Sequence, residues 1–405
     1  MHIVFVAHEF VTERELCGGF GHYLANISEI LAERGHRVTI LLISNHNEKF
    51  QWKDMVDVIV FNYNAYKGPV SWFGMCADLL TKRNTSWYLN RSREINRRIR
   101  NINQEHKIDI IQYCGDDLSV WYRPKNITSV VRLSSFGPWY DLASQPETDM
   151  KDMRWLKTWE SRFFLYSFMK ADAVYGPSRA VTQIVEKKLK KEIRVIESPC
   201  IINDEVKTQC DAAELIGKKY LLFFGRICYL KGIGLIEEII YDVLKDNPDF
   251  IFAFAGREVD KGLIRKIKKA SAEYSDRAVY LGEFRDPDKL NSVVQNAYAC
   301  VLPSRADNLP NSCIEAMGLG KVVIGTYGAS FEQLIKHKKS GLLIKQDSSA
   351  ALKKAIDYAM QMTNEERYDM GIRAKERIAQ MHPDKIYEQL MSFYQEVMKD
   401  KQKRR

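Results

Sequence analysis

Apolar and aromatic runs of strand length recur along the whole chain, each followed by a loop and a helix-period pattern, and this alternation constrains the fold more than any other feature. HIVFVA at residues 2–7 reads as a buried strand. The loop EFVTERELCGGFGHY, the helix pattern LANISEILAERG and the strand HRVTILLIS follow it. That order implies a parallel, right-handed βαβ unit. MVDVIVFNY, KIDIIQYC, ITSVVRLSS, ADAVYG and VIESPCIIND read as further strands. Between them lie the helix patterns SWYLNRSREINRRIRNINQEH and RWLKTWESRFFLYSFMKA, and a helix with Ser178 as its N-cap candidate.

A polar stretch at 203–219 reads as a linker, and the alternation then restarts with YLLFF, DFIFAFAGRE, AVYLGEF, YACVLPS, KVVIGT and GLLIK. A chain of 405 residues is too long for one ordinary core. The expected class is α/β, with two doubly wound, Rossmann-like parallel-sheet domains facing a cleft. The expected boundaries are 1–202 and 203–383, with a helix over 384–405 packing back on the first domain and frayed at its cationic end.

The segment YLLFFGRICYLKGIG at 220–234 concentrates the chemistry. A strand runs into Gly225-Arg226, then Lys231-Gly232, then a helix N-terminus. Two cations, glycines that admit the backbone, and the free amides of a helix suit a diphosphate. The other reading is an ordinary βα connection with surface cations. A second constellation, PSRADNLPNSCIEAMGLGKVV, places Asp307 in a loop after a strand and Glu315 one turn into a helix beginning near Asn311. The first carboxylate and the helix amides would address one ligand, and the second would accept hydrogen bonds from a diol such as a ribose. Arg305 reads as a surface residue, and Asp286 and Asp288 as helix N-terminal carboxylates.

Other classes fit less well. Gly18, Gly19 and Gly21 would form a glycine-rich turn after the first strand, but their spacing is not GxGxxG, and no acidic residue closes the second strand at Ile43-Ser44. A dinucleotide cofactor is poorly supported. The eight cysteines, Cys17, Cys76, Cys114, Cys200, Cys210, Cys228, Cys300 and Cys313, contain no CxxC pair, which favours reduced, buried thiols over disulfides or zinc. No zinc-finger spacing or RNA-binding aromatic motif points to nucleic acid. MHIVFVAHEF lacks a basic leader, and no apolar run reaches the roughly 20 residues that span a bilayer. The expectation is a cytoplasmic chain, peripheral at most.

The net charge of +9 suits anionic partners, and Arg91, Arg93, Arg97, Arg98 and Arg100 share one helix. That helix is either a solvated surface helix or a face for an anionic membrane or acceptor. His8 and His22 read as structural or solvent-facing, with a place near the glycine turn as the alternative.

FGRICYLKGIG, AGRE, YLGEF, the PSRADNLPNSCIEAMGLGKVV block and GLLI together resemble the family 4 glycosyltransferases, retaining enzymes of the GT-B fold. GGFGHYLAN with LAERGHRV, and KADAVYGPS, resemble that family's N-terminal pattern, so the resemblance covers both halves. It implies a hexosyltransferase-type enzyme that takes a nucleotide diphosphate sugar as donor and a glycan or lipid-linked glycan as acceptor, with no metal and no cofactor. By this resemblance Arg226 and Lys231 neutralise the donor's diphosphate and Glu315 binds its ribose. Asp307 takes the place of the family's first Glu, on the donor sugar. Gly18, Gly19, Gly225, Asn308, Leu309, Asn311 and Ser312 complete the donor site, with Glu283 and Phe284 at the base.

Two departures stand out. Many members of the family carry a His at the end of the strand matching VVRLSS, where this chain offers Arg132 as a replacement. Asp307, Asn308 and Pro310 stand where E-G-F-G is common, which shortens a carboxylate and removes an amide. A non-enzymatic GT-B protein that binds a nucleotide sugar or an anionic surface is the competing expectation.

Overall fold

The computed structural model describes residues 1–13, 18–63, 72–81, 85–115, 118–134, 136–150, 157–190, 192–201 and 210–404. Cys17 and residues 203–209 of the expected linker lie outside them. The chain forms two compact units. One comprises Met1–Pro138, Met153–Pro199 and Pro383–Arg405, and the other Trp139–Asp152 and Cys200–His382.

The first unit is built on an eight-stranded sheet of β1 (His2–Ala7), β2 (Arg37–Ser44), β3 (Glu48–Trp52), β4 (Val56–Asn62), β5 (Ile110–Cys114), β6 (Thr128–Arg132), β7 (Ala173–Gly176) and β8 (Arg194–Val195). Their order is β3-β4-β2-β1-β5-β6-β7-β8. All neighbours run parallel except β3 and β4. Every residue of β1 is buried, as expected of a central parallel strand covered on both faces. The chain leaves β1 for β2 on one side and reaches β5 on the other, so the sheet's order reverses at the β1/β5 edge.

Three local expectations change here. The hairpin of β3 with β4 was not anticipated, because EKFQW is a short edge strand whose only apolar residues, Phe50 and Trp52, form one half-buried face. Its turn holds Lys53 and Asp54 at φ of 50° and 57°, with no glycine to announce it. The first helix runs Gly19–Glu33, so Gly19 and Gly21 lie inside it and only Gly18 precedes it, as N-cap. VIESPCIIND supplies only Val195 to β8, because pairing stops after the Ile196 amide donates to the Gly176 carbonyl (3.0 Å).

The helix Pro383–Lys403 belongs to the first unit. Its Tyr394 hydroxyl donates to Gln112 Oε1 (2.6 Å), which also accepts from Tyr175 (2.5 Å). Burial holds both phenols far above their ordinary pKa. Its end is ordered rather than frayed, since Lys401 Nζ donates to Asp172 Oδ2 (2.7 Å) and to the Ile127 carbonyl (2.6 Å). The basic helix is Thr85–Glu105. Its arginines are engaged within the unit: Arg97 and Arg98 pair with the buried Glu94, and Arg91, Arg93 and Arg98 lie over Trp87, Tyr122 and Phe61. Arg100 donates to the Tyr122 carbonyl.

The second unit has a six-stranded sheet of β9 (Lys219–Phe224), β10 (Phe250–Ala255), β11 (Ala278–Gly282), β12 (Ala299–Val301), β13 (Val323–Thr326) and β14 (Leu342–Ile344). It is parallel throughout, in the order β11-β10-β9-β12-β13-β14. Alternate residues face opposite layers. Leu222, Phe224, Ala253 and Ala255 enter one core, and Leu221, Phe223, Phe252 and Phe254 the other. Two helices not read from the sequence, Ser349–Gln361 and Asn364–Ile378, close this unit, the second started by a capping box of Thr363 and Glu366. The largest departure is Trp139–Asp152, expected in the first domain and found packed in the second unit.

Among the described residues, no helix is long and apolar enough to cross a membrane. Seven cysteines there are free thiols, five of them buried. Burial pushes Cys300 up to about 12.

Candidate active site

The sheet order of the second unit brings its two sequence constellations together. β9 pairs with β12 through Leu221 with Ala299 and Leu222 with Cys300, so the loops leaving their carboxyl ends are neighbours. This is also where the strand order reverses, the position at which open α/β sheets bind ligands. Arg226 and Lys231 leave β9, and Asp307 lies in the loop after β12.

The loop after β9 is held along its length. The Gly225 amide donates to the Ala255 carbonyl (2.9 Å), and the Ile227 amide to Arg257 (2.9 Å). The Tyr229 amide donates to Asp260 Oδ2 (2.9 Å). Gly232, at φ of 77°, starts the helix Ile233–Asp246. A Cβ at Gly232 would lie 1.9 Å from the Pro303 carbonyl oxygen, so only glycine lets this loop close on the one after β12. The Arg305 amide cross-links the two by donating to the Leu230 carbonyl (2.9 Å).

Across this junction the Lys231 ammonium pairs with the Asp307 carboxylate, at side-chain exposures of 18% and 11%. Arg226 is exposed, and Asn308 is buried beside Asp307. The Asp307 carbonyl accepts from Ser330 Oγ (2.7 Å). Leu309 is packed in the core, which leaves only its backbone for a ligand. The helix Asn311–Gly318 follows, with Asn311 and Ser312 half-buried at its start.

Glu315 is exposed to water, yet burial raises its carboxyl above the ordinary value. Burial also pushes the Cys200 thiol up to about 11, with the Glu315 charge adding to the effect. The arrangement therefore offers one exposed cation, one cation already paired, two carboxylates and the amides of a helix start. It suits an anion joined to a polyol.

The remaining expected residues are more dispersed. Glu283 is exposed and Phe284 is half-buried against the core, just beyond β11. β11 lies two strands from β9, about 10 Å across the sheet. Gly18, Gly19 and Arg132 belong to the first unit. The Gly18 amide donates to Glu9 Oε2 (3.0 Å), so a carboxylate already occupies that helix start. Arg132 is 3% exposed, with its guanidinium 3.6 Å from the Tyr23 ring centroid. It donates to Ser134 Oγ and Ser198 Oγ (both 3.0 Å), and its Nε has no partner among the described residues. His8 lies 3.8 Å from Glu9 and 6.2 Å from the Phe20 ring, and His22 is exposed. Asp286 is the N-cap of Pro287–Asn296, accepting from the Asp288 amide.

Two residues were not read as part of the site. Arg305 is 6% exposed, not a surface residue. Its Nε and Nη2 pair with Asp347 (2.7 and 3.2 Å), its Nη1 donates to the Ala143 (3.0 Å) and Gln145 carbonyls, and Nη2 also donates to Thr148 (2.5 Å). Tyr140, on the helix Gly137–Ala143, is half-buried and its hydroxyl is buried. Burial raises that hydroxyl well above its ordinary pKa, with Asp307 adding to the rise and Arg226 opposing it. The Asn308 backbone amide hydrogen-bonds it. A lone Tyr eight residues beyond the end of β6 gives no sequence signal, whereas Arg305 could have been suspected from its place inside the carboxylate motif.

Residues 209–377 match the family model described as glycosyl transferases group 1. A 169-residue stretch is 25% identical to a glycogen synthase of Thermodesulfovibrio yellowstonii, covering 40% of this chain and 33% of that one. Over 240 residues it is 23% identical to a Campylobacter jejuni protein named GalNAc-alpha-(1->4)-GalNAc-alpha-(1->3)-diNAcBac-PP-undecaprenol alpha-1,4-N-acetyl-D-galactosaminyltransferase, covering 57% of this chain and 62% of the relative. The chain thus spans between a third and about three fifths of the length of these curated relatives. Among solved structures, the sucrose-phosphate synthase of Thermosynechococcus elongatus superposes with a TM-score of 0.74 at 17% identity, over 99% of this chain and 100% of that one. The chain therefore has the two-domain GT-B fold, and residues 209–377, within its second unit, are similar to the group 1 glycosyl transferases.

Proposed function

We propose that this chain is a retaining glycosyltransferase that moves a sugar from a nucleotide diphosphate sugar to a glycan or lipid-linked glycan, in surface polysaccharide biosynthesis. The observation that carries the reading is the Lys231–Asp307 pair at the junction of the β9 and β12 loops, with Arg226 exposed in the β9 loop and Glu315 one turn into the helix Asn311–Gly318. In this reading Lys231 exchanges the Asp307 carboxylate for the donor diphosphate, and Arg226 joins it. Asp307, released, accepts hydrogen bonds from the sugar, and Glu315 from the ribose.

The acceptor hydroxyl attacks the anomeric carbon on the face from which the diphosphate leaves. The new C–O bond replaces the sugar–phosphate bond, and the acceptor's proton passes to the departing phosphate oxygen. Cations and helix amides aimed at that oxygen stabilise the charge that develops there, so the reaction needs neither a metal nor a separate base. An undecaprenol-linked acceptor, as in the name of the Campylobacter jejuni relative, would be met at the cytoplasmic face of a membrane.

A thermal-shift panel with UDP, GDP, ADP and their sugar conjugates tests the reading. One series should raise the melting temperature of the wild type and not of Lys231→Ala. Stabilisation by a series without sugar transfer to any acceptor would favour the non-enzymatic binder, and the absence of any shift would refute the donor site.

A further inference from the structure

Charge alone points to the Thr85–Glu105 helix as a face for an anionic partner, but its arginines are engaged within the unit. The helices beside it carry a different surface. Trp72–Thr81 packs against both Thr85–Glu105 and Trp159–Met169. The crossovers from β4 to β5 and from β6 to β7 step in the same direction along the sheet, so right-handed connections place all three helices on one of its faces. Of the fifteen large apolar side chains exposed among the described residues, six lie on the two shorter helices: Met75, Leu79, Leu80, Trp159, Tyr166 and Met169. Leu79 is 81% exposed and Met169 59%. Exposed apolar residues scattered singly need no partner, but a cluster of this kind marks an interaction surface.

The surface is ordered along the helices. Trp159, Arg162, Tyr166 and Met169 follow at spacings of three, four and three, so they share one side of their helix, and all four are exposed. Ser161 and Ser167 of the same helix are buried. Met75 and Leu79, four apart, share a side of theirs. Cations are set among the rings. The Arg162 guanidinium lies 5.1 Å from the Trp159 ring centroid, and the Lys170 ammonium 4.5 Å from that of Trp121 and 4.9 Å from that of Tyr166. Lys157 is exposed just before the helix. From 157 to 170 the sequence carries Lys157, Arg162 and Lys170 against the single acid Glu160. On the neighbouring helix the Asp78 carboxylate accepts from the Ser86 amide (2.7 Å).

We propose that this face of the first unit docks on an anionic phospholipid membrane, with its exposed apolar tips in the headgroup layer and Lys157, Arg162 and Lys170 against lipid phosphates. Trp and Tyr rings suit that layer, and long cationic side chains reach its phosphates from stems laid on apolar neighbours. At 10 and 11 residues the helices are about 15–17 Å long, half the thickness of a bilayer core, so they lie on the surface and do not cross it. Their apolar area is too small to hold to a neutral membrane by itself, so the cations are needed as well. A second copy of the chain fits worse, because a two-fold contact of the stripe with itself would set cations against cations. The helix Trp159–Met169 runs down to the start of β7, which puts its Trp159 end towards the carboxyl edge of the sheet, where open α/β sheets bind ligands. Docking along it keeps that edge at the lipid surface. The inference goes beyond the transfer reading and does not rest on it, since a chain that only bound a nucleotide sugar would dock in the same way.

Co-sedimentation of the full chain with mixed phosphatidylglycerol–phosphatidylcholine vesicles, beside vesicles of phosphatidylcholine alone, tests the proposal. The wild type should bind the mixed vesicles and not the neutral ones. The triple variant Leu79→Ser, Tyr166→Ser, Met169→Ser should bind the mixed vesicles at least about tenfold more weakly, and Arg162→Ser about fivefold more weakly. All four sites are exposed, so the melting temperatures should stay at the wild-type value. Trp159 adds an optical readout: the mixed vesicles should shift tryptophan emission to the blue in the wild type, and less in Trp159→Phe. A wild type that ignores the mixed vesicles or binds both kinds alike, or variants that bind as the wild type does, would overturn the proposal. So would a wild type that is a dimer in solution beside a monomeric triple variant, the result expected of a face that meets a second copy. Each of these results leaves the donor site untouched, and a chain that binds none of the nucleotide series leaves this face standing.

Discussion

Replacing Lys231 by Met should separate the lysine's part in the fold from its part in binding. Met keeps the length and apolar stem and removes the charge. An exposed ion pair contributes about 0–1 kcal/mol, and breaking a fully buried one costs about 3–5 kcal/mol. With exposures of 18% and 11%, the Lys231–Asp307 pair lies between these limits, nearer the buried one. The expected loss is therefore about 2 kcal/mol, or about 4–8 °C in melting temperature for a domain of this size. Most of it is the cost of leaving Asp307 enclosed without a cation. Asp307→Asn in the Lys231→Met background should thus restore most of the stability.

Scanning calorimetry of the wild type, the two single variants and the double variant measures the cycle directly. Nucleotide binding should not return in the double variant, because the diphosphate needs the ammonium that the fold can do without. A Lys231→Met protein as stable as the wild type would refute the reasoning, and so would a double variant destabilised by the sum of its parts.

Glu315 gives a pH-dependent prediction. Burial raises its folded-state pKa, so the stability tied to its neutral form is present at acid pH and is lost as pH rises through that value. Glu315→Gln should then melt higher than the wild type at about pH 7.5, with the gain shrinking towards about pH 4, where both side chains are neutral. A gain that stays constant across a melting series over that range would assign the effect to packing instead. For the Thr85–Glu105 helix, whose arginines are already paired or stacked, contact with an anionic membrane should be weak and electrostatic. Co-sedimentation with anionic vesicles should fall away as salt rises above about 0.1 M, and binding indifferent to salt would contradict that mode.

The loops after β9 and β12 were legible because their chemistry is local. Arg226, Gly232 and Lys231 lie within one strand–loop–helix step, and the helix start after Asp307 is marked by the run from Asn311 to Glu315. Arg132 was read from a strand end, but its packing on Tyr23 joins residues far apart in sequence. The early start of the Gly19–Glu33 helix went unread because glycine disfavours helix interiors, and burial of Gly21 overrides that preference. The hairpin of β3 escaped for a related reason: an edge strand needs only one partner, and its sequence can stay polar.

The sequence by itself determined the class of fold, the two parallel sheets and the residue types at the ends of β9 and β12, since periodicity and turn chemistry act between near neighbours in the chain. Only the tertiary structure decided that β9 pairs with β12, which turns two motifs into one site, and that Lys231 rests on Asp307. It also decided that residues 139–152 join the second unit and that Arg305, unremarkable as a surface charge, is buried at their clamp. Pairing order and the burial of a polar side chain depend on which distant groups can satisfy its hydrogen bonds, and no local pattern carries that information.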